Sequence, residues 1–357
     1  MNNATLTNRS PLERVRFTPI PAFAAAGLLL GGLGTATSRA TILYASDATS
    51  KIEKYTAGGV GSVFASSGLN QPEGLAFDSA GNLYAANFNS NANTIEKFTP
   101  GGVGSVFATV GTGVSRPIGL AFDSAGNLYA ANSGNNTIEK FTPGGVGSVF
   151  ASAGLNGPLA LAFDSAGSLF VANQGDNTIE KFTLGGVGSL FATVTTFAGS
   201  LAGLAFDVAG NLYVTDVNAN KILKFTLGGV SSVFASTGLN QPIGLAFDSA
   251  GNLYVANQGN ATIGKFTPGG SGSVFASSGV ASPQYLAFTD DAGKPLPLAN
   301  QAPEPASAAL LLGGGALLAL RRRRSAAALQ SSSPRSEVAL RNAIAVKLSF
   351  VHKSIPQ

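Results

Sequence analysis

Gly244-Leu-Ala-Phe-Asp-Ser-Ala-Gly-Asn-Leu-Tyr-Val-Ala-Asn257, followed by Ala261-Thr-Ile-Gly-Lys-Phe266 and Gly272-Ser-Val-Phe-Ala276, is the stretch on which the fold turns. It holds four short runs of β-branched, aromatic and small apolar residues, separated by turn residues. Asp-Ser-Ala-Gly-Asn joins the first two runs as a hairpin loop, in which Asp accepts backbone hydrogen bonds and Gly supplies φ > 0. Thr-Pro-Gly-Gly serves the last two. We name the runs a (GLAF), b (NLYVAN), c (TIEKF) and d (GSVFA).

The unit recurs. Its marker Asp stands at 78, 123, 164, 207 and 248, with Thr289 in the sixth place, at intervals of 45, 41, 43, 41 and 41. A period of about 40 residues with four strands per repeat predicts an all-β chain of propeller blades, each with four antiparallel strands. The ends of the repeat region predict how the ring closes. The first unit starts at strand b (Ile42 to Ser46), and the last stops at strand a (Tyr285 to Phe288). A composite blade built from both ends gives six blades. Lys294 to Ala299 is a rival partner, but Pro295 and Pro297 cannot donate to a central ladder.

The units resemble NHL repeats over nearly the whole of residues 42 to 289. That resemblance implies a six-bladed propeller, a fold that serves protein-, RNA- and carbohydrate-binding modules as well as lyases and lactonases, so it does not choose a function.

The ends of the chain read as addresses. Residues 1–40 contain Arg9, Arg14 and Arg16, an apolar run over 20–34, and small residues at Ser38 and Ala40. This is the layout of a signal peptide cleaved after Ala40. Residues 301–324 carry Pro303-Glu304-Pro305, an apolar run over 306–320 and Arg321-Arg322-Arg323-Arg324. The order resembles a PEP-CTERM sorting signal of Gram-negative bacteria. It implies an exosortase-type processing enzyme as partner, cleavage near Pro303, and delivery to the cell surface or extracellular matrix. Fifteen apolar residues at ~1.5 Å each reach roughly 22 Å, short of the ~30 Å hydrocarbon core, which predicts a transient membrane tether. The arginines hold its cytoplasmic end. Residues 325–357 depart from the sorting pattern by following the basic block, and read as disordered or weakly helical.

The net charge of +4 arises at the ends. Residues 41–300 hold ten Lys and Arg against fifteen Asp and Glu, a balance of −5. The repeat region therefore lacks the basic stripe that nucleic-acid binding requires. With no Cys, and its one His at position 352, it cannot build a thiolate or His-ligated zinc site or a Ser-His-Asp triad. No catalytic residue is assigned and no cofactor is expected.

The repeated Asp residues read as turn caps, and the Glu-Lys pairs of strand c, such as Glu96-Lys97 and Glu139-Lys140, as solvated blade edges. At the end of strand b stand Asp47, Asn87, Asn132, Asn173, Asp216 and Asn257, and two readings of them stay open. Six side-chain oxygens around a channel mouth would suit a hard cation such as Ca²⁺, an idea that similarity to gluconolactonase-type propellers permits. Alternatively each side chain caps its own b–c loop.

Irregular positions should mark any specific site. The second residue of strand a reads Glu73, Ile118, Leu159, Ala202, Ile243 and Gln284, with its polar members beside Asp47 at the junction of the chain ends. Blade 2 also has a longer b–c loop over 88–93, and residues 195–200 differ from the equivalent connections. Asp47, Glu73, Asn87 and Gln284 are therefore the candidate ligand-binding set. The leading expectation is a surface-sorted, non-enzymatic binding or scaffolding propeller, with polysaccharide or a surface protein as partner. The rival is a metal-dependent lactonase- or lyase-like enzyme.

Overall fold

A computed structural model describes residues 41–89, 93–195 and 199–290. The signal-peptide reading of residues 1–40, the sorting motif and Arg321–Arg324, the tail, and the rival segment 294–299 lie outside the described residues. No helix among the described residues is long and apolar enough to cross a membrane.

Among the described residues twenty-four strands, β1 (Thr41–Asp47) to β24 (Pro283–Asp290), form six four-stranded antiparallel sheets. The a strands are β4 (Pro72–Phe77), β8 (Pro117–Phe122), β12 (Pro158–Phe163), β16 (Leu201–Phe206), β20 (Pro242–Phe247) and β24. Each packs against the a strand on either side, and β24 packs against both β20 and β4, so these strands form a closed inner ring. Blade 1 is composite, ordered β24-β1-β2-β3, with β2 at Lys51–Tyr55 and β3 at Gly61–Ala65. In it Leu43 pairs with Phe288 and Ala45 with Leu286. The closure read from the incomplete end units is the one the structure adopts.

Aromatic residues join the blades. Tyr84 of blade 2 makes edge contacts with Phe107 of its own blade at 4.9 Å and with Phe122 of blade 3 at 5.0 Å. The same pair of contacts recurs at every junction. At the chain ends it is Tyr254 with Phe275 and Phe288, both at 4.9 Å. Such pairs add about 0.5–1.5 kcal/mol each beyond their buried area. The closing junction is therefore packed like the other five.

Close approach of the a strands dictates small residues at their third position. A Cβ on Gly74 would lie 2.1 Å from the Ile118 carbonyl oxygen, and one on Gly203 would lie 2.2 Å from that of Ile243. The position reads Gly74, Gly119, Ala160, Gly203, Gly244 and, in the composite blade, Tyr285.

The hairpin aspartates cap their turns as expected. Asp78 accepts hydrogen bonds from the N–H groups of Ala80 and Asn82 at 3.0 and 2.9 Å. Strand c differs from expectation, because it is the third strand and strand d forms the outer edge. Glu53, Glu96, Glu139 and Glu180 are buried between blades. Burial raises the pKa of Glu96, Glu139 and Glu180. The lysines alternate to the other face of the strand. Lys97 lies 3.6 Å from Asp78 and 5.2 Å above the Tyr84 ring, an arrangement repeated through blade 6.

Candidate functional site at the blade 1–blade 2 junction

The Asx residues at the ends of the b strands lie one strand out from the channel and are buried. Asn87 accepts a hydrogen bond from the Asn70 N–H at 2.9 Å, and its amide donates to the Gly68 carbonyl and to Thr94 Oγ1, both at 2.9 Å. Asn132, Asn173 and Asn257 repeat this pattern. They pin the incoming d–a crossover rather than only their own b–c loop, and their oxygens accept from loop N–H groups instead of converging on an axis. In the four asparagines these oxygens are already engaged by loop N–H groups. Among the described residues no group of three or more Asp, Glu, His or Cys side chains is placed to hold a metal ion.

Asp47 is the composite-blade member of that set. Its Oδ1 accepts from the Thr49 N–H at 2.8 Å, and its Oδ2 accepts from Ala281 at 2.8 Å and Ser282 at 3.2 Å. Burial acts to raise its pKa, but these N–H groups outweigh burial and hold the carboxyl below the usual range.

The second and third residues of strand a form a β-bulge. In blade 2, Glu73 and Gly74 together oppose Ala86; in blade 1, Gln284 and Tyr285 oppose Ser46. A bulge re-aims side chains, and here it does so beside the channel. Ser46 Oγ accepts from the Tyr285 N–H at 3.0 Å and donates to the Glu73 carbonyl at 2.6 Å, tying blade 1 to blade 2. Thr215 repeats that bridge between Gly203 and Ile243 at 2.6 and 2.8 Å. The other four blades carry Ala there.

The channel holds a cavity of about 210 Å³, lined by the Leu-Ala-Phe ends of all six a strands and by Tyr285. The Tyr285 ring packs against the apolar cluster of blades 4 and 5 and so reaches across the ring. Its hydroxyl is buried and has no hydrogen-bond partner among the described residues. Burial pushes the hydroxyl's pKa up, and the Glu73 carboxylate raises it further. Glu73 is only partly exposed, and desolvation pushes its pKa up to about 8.

Of the four candidate ligand-binding residues, Asp47, Asn87 and Gln284 are buried, at 1%, 1% and 4% exposure. Gln284 donates to Ser282 Oγ at 3.2 Å. Glu73 alone is partly exposed. The structure adds Tyr285 and Ser46, which the sequence reading passed over. Their signal was available: one Tyr among five small residues, and one Ser among four Ala and a Thr.

The NHL-repeat family model matches residues 239–266. This is the a-b-c stretch of blade 6. No curated protein sequence matches the chain. Solved structures share the fold. A chain of a nidogen/laminin complex is 19% identical, with 74% of this chain and 100% of that one covered and a TM-score of 0.61. Virginiamycin B lyase from Staphylococcus aureus is 17% identical, over 68% and 85% of the two chains, with a TM-score of 0.53. A gluconolactonase from Xanthomonas campestris is 18% identical, over 61% and 82%, with a TM-score of 0.53. These likenesses carry the fold, which hosts both binding proteins and enzymes.

Proposed function

We propose that the chain is an exported, surface-sorted binding propeller whose loop-bearing face docks an extended partner, with polysaccharide of the producing cell's matrix as the first candidate. The observation that supports this reading is the use made of the repeated polar groups. The Asn carboxamides hold crossovers, the hairpin aspartates hold turns, and the lysines pair with those aspartates. Among the features left unrepeated is the junction of blades 1 and 2, which carries Glu73. Rigid scaffolds that present varied loops on one face are built for recognition.

Binding of fluorescent host exopolysaccharide to the purified chain tests the docking reading, with Glu73→Ala compared against wild type. A loss of at least tenfold in affinity supports it. Unchanged affinity removes the junction as the docking site. Mass spectrometry of the native surface fraction tests the sorting reading, for which mature ends near Thr41 and Pro303 are expected. An intact C-terminus overturns it.

A further inference from the structure

Blade 5 departs from the repeat in its strand c, β18 (Lys221–Phe225), which reads Lys-Ile-Leu-Lys-Phe where blades 2, 3 and 4 read Thr-Ile-Glu-Lys-Phe. In blades 1 to 4 the third residue is a buried glutamate, and Glu96 and Glu180 lie beside Gly68 and Gly154 of the incoming d–a crossover. Those side chains fill the cleft between one blade and the next. Leu223 packs instead against the apolar cluster of blades 4 and 5, and a cavity of about 550 Å³ opens beside it. Thr193 of blade 4 and Asp216, Lys221, Leu223, Phe225 and Ser231 of blade 5 line it. Lys221, Leu223 and Phe225 alternate to this face of the strand, so the cavity is a groove that follows β18 for about 13 Å.

Two charged groups line the groove without a side-chain partner. In blade 1, Lys51 pairs with Glu53 at 2.9 Å. Leu223 removes that partner from Lys221, whose ammonium has no ion pair among the described residues. Asp216, at the end of β17 (Leu212–Asp216), is 3% exposed. Its Oδ1 accepts from the Ala219 N–H at 3.1 Å, and among the described residues no other hydrogen bond reaches the carboxylate. Its blade 1 counterpart, Asp47, accepts three. Asp216 and Lys221 are register partners, yet they form no ion pair with each other. Polar groups left short of partners in a cavity point to a guest that completes them.

We propose that this groove binds a saccharide carrying a uronic acid, its carboxylate at Lys221, its hydroxyls at Asp216, Thr193 and Ser231, and the C–H face of its ring on Leu223. The inference rests on the saccharide reading above for the class of partner, and adds the partner's charge and a second site on the ring. A uronate takes the place of the missing glutamate through a charge-assisted hydrogen bond. A hydroxyl is the donor that suits Asp216, whose ionised oxygens only accept. A neutral sugar would leave Lys221 unpaired, and a plain anion would leave Asp216 and the apolar wall unused. A hard metal ion wants six to eight oxygen ligands, and here it would meet one carboxylate and an ammonium. The volume falls within the ~300–1,000 Å³ of ligand sites. The balance of −5 over residues 41–300 opposes a densely charged polyanion, which selects a partner with isolated uronates among neutral sugars.

NMR titration of the isotope-labelled full chain with methyl β-D-glucuronide, methyl β-D-glucoside, methyl β-D-glucosaminide and acetate tests the proposal. The glucuronide should shift the backbone amides around Lys221 and Leu223 and bind at least tenfold more tightly than the glucoside, with the amino sugar and acetate weaker still. Two substitutions restore residues that the repeat uses elsewhere, which protects the fold. Leu223→Glu, the residue of blades 1 to 4, should fill the groove, pair with Lys221 and abolish glucuronide binding. Lys221→Thr, the residue of blades 2, 3, 4 and 6, should lower the glucuronide to the affinity of the glucoside. The proposal is overturned if glucuronide and glucoside bind equally, if the amino sugar or acetate matches the glucuronide, if no sugar binds, or if Leu223→Glu keeps the wild-type affinity. Host exopolysaccharide separates the two sites. Binding lost in Leu223→Glu but kept in Glu73→Ala supports the groove and removes the blade 1–blade 2 junction, and the reverse pattern overturns the groove and leaves the junction standing.

Discussion

The carboxylate of Asp47 accepts a hydrogen bond from the backbone N–H of Ala281 at 2.8 Å, across 234 residues of sequence. The same oxygen also accepts from Ser282. Elsewhere these two tasks are divided. Ser115 is held by Asn132 of its own blade at 3.1 Å, and Arg116 by Asn93 of the preceding blade at 2.7 Å. In blade 6 the residue equivalent to Asn93 is Ala261, whose methyl group can accept nothing. At the closing junction Asp47 carries both staples.

Replacing Asp47 should therefore cost more than replacing any one of the equivalent asparagines. Asp47→Ala leaves three loop N–H groups without their charged acceptor, and a loss of about 1.5–3 kcal/mol is expected in urea denaturation. Asn132→Ala should lose about 1–2 kcal/mol. Equal losses would show that the double staple carries no extra weight. The pH dependence has a defined sign. Because the folded pKa lies below the usual value of 3.8, the ionised Asp47 contributes stability above that pH and loses it as the pH falls through the folded value. Asp47→Asn should lack this acid-labile component.

Ala261→Asn should stabilise the ring. Ala261 sits at φ 53° and ψ 47°, the left-handed region that Asn tolerates better than Ala. The new carboxamide would also supply the missing staple. The combined gain is expected at about 0.5–2 kcal/mol, and an unchanged midpoint in thermal unfolding would refute it.

Gly203→Ala should destabilise by about 1–3 kcal/mol, because a Cβ there meets the neighbouring backbone rather than a yielding side chain. Ala160→Gly, at the one position where the repeat itself has Ala, should cost about 1 kcal/mol or less from backbone entropy. Similar small effects at both sites would contradict the close approach of the a strands.

Glu73 predicts falling stability with rising pH. Its folded pKa is about 8 against 4.5 for an ordinary Glu, so between these values the native state keeps a proton that the unfolded chain has released. Stability then declines as pH rises from about 4.5 and levels off above about 8, by less than the about 5 kcal/mol that ~1.4 kcal/mol per unit gives, because the carboxyl is partly exposed. Glu96, Glu139 and Glu180 add slopes of the same sign. Glu73→Gln should flatten the profile by its own share. A variant with the wild-type slope would place the carboxyl in solvent.

The sequence by itself determined the blades, their number and their closure. Alternating strand residues and turn residues act within a few positions of one another, and a start at strand b with a stop at strand a leaves one economical way to close the ring. It also placed the hairpin aspartates as turn caps, since their partners at Ala80 and Asn82 are two and four residues away. Only the tertiary structure decided what the irregular residues do. Asp47 and Asn87 are polar letters that invite a ligand, yet they are buried against loop N–H groups. Tyr285 has the letter of an ordinary strand aromatic, yet it spans the channel with a hydroxyl unpartnered among the described residues. The reason is that the partners of these side chains come from neighbouring or opposite blades, and in the closed ring distance in space no longer follows distance along the chain.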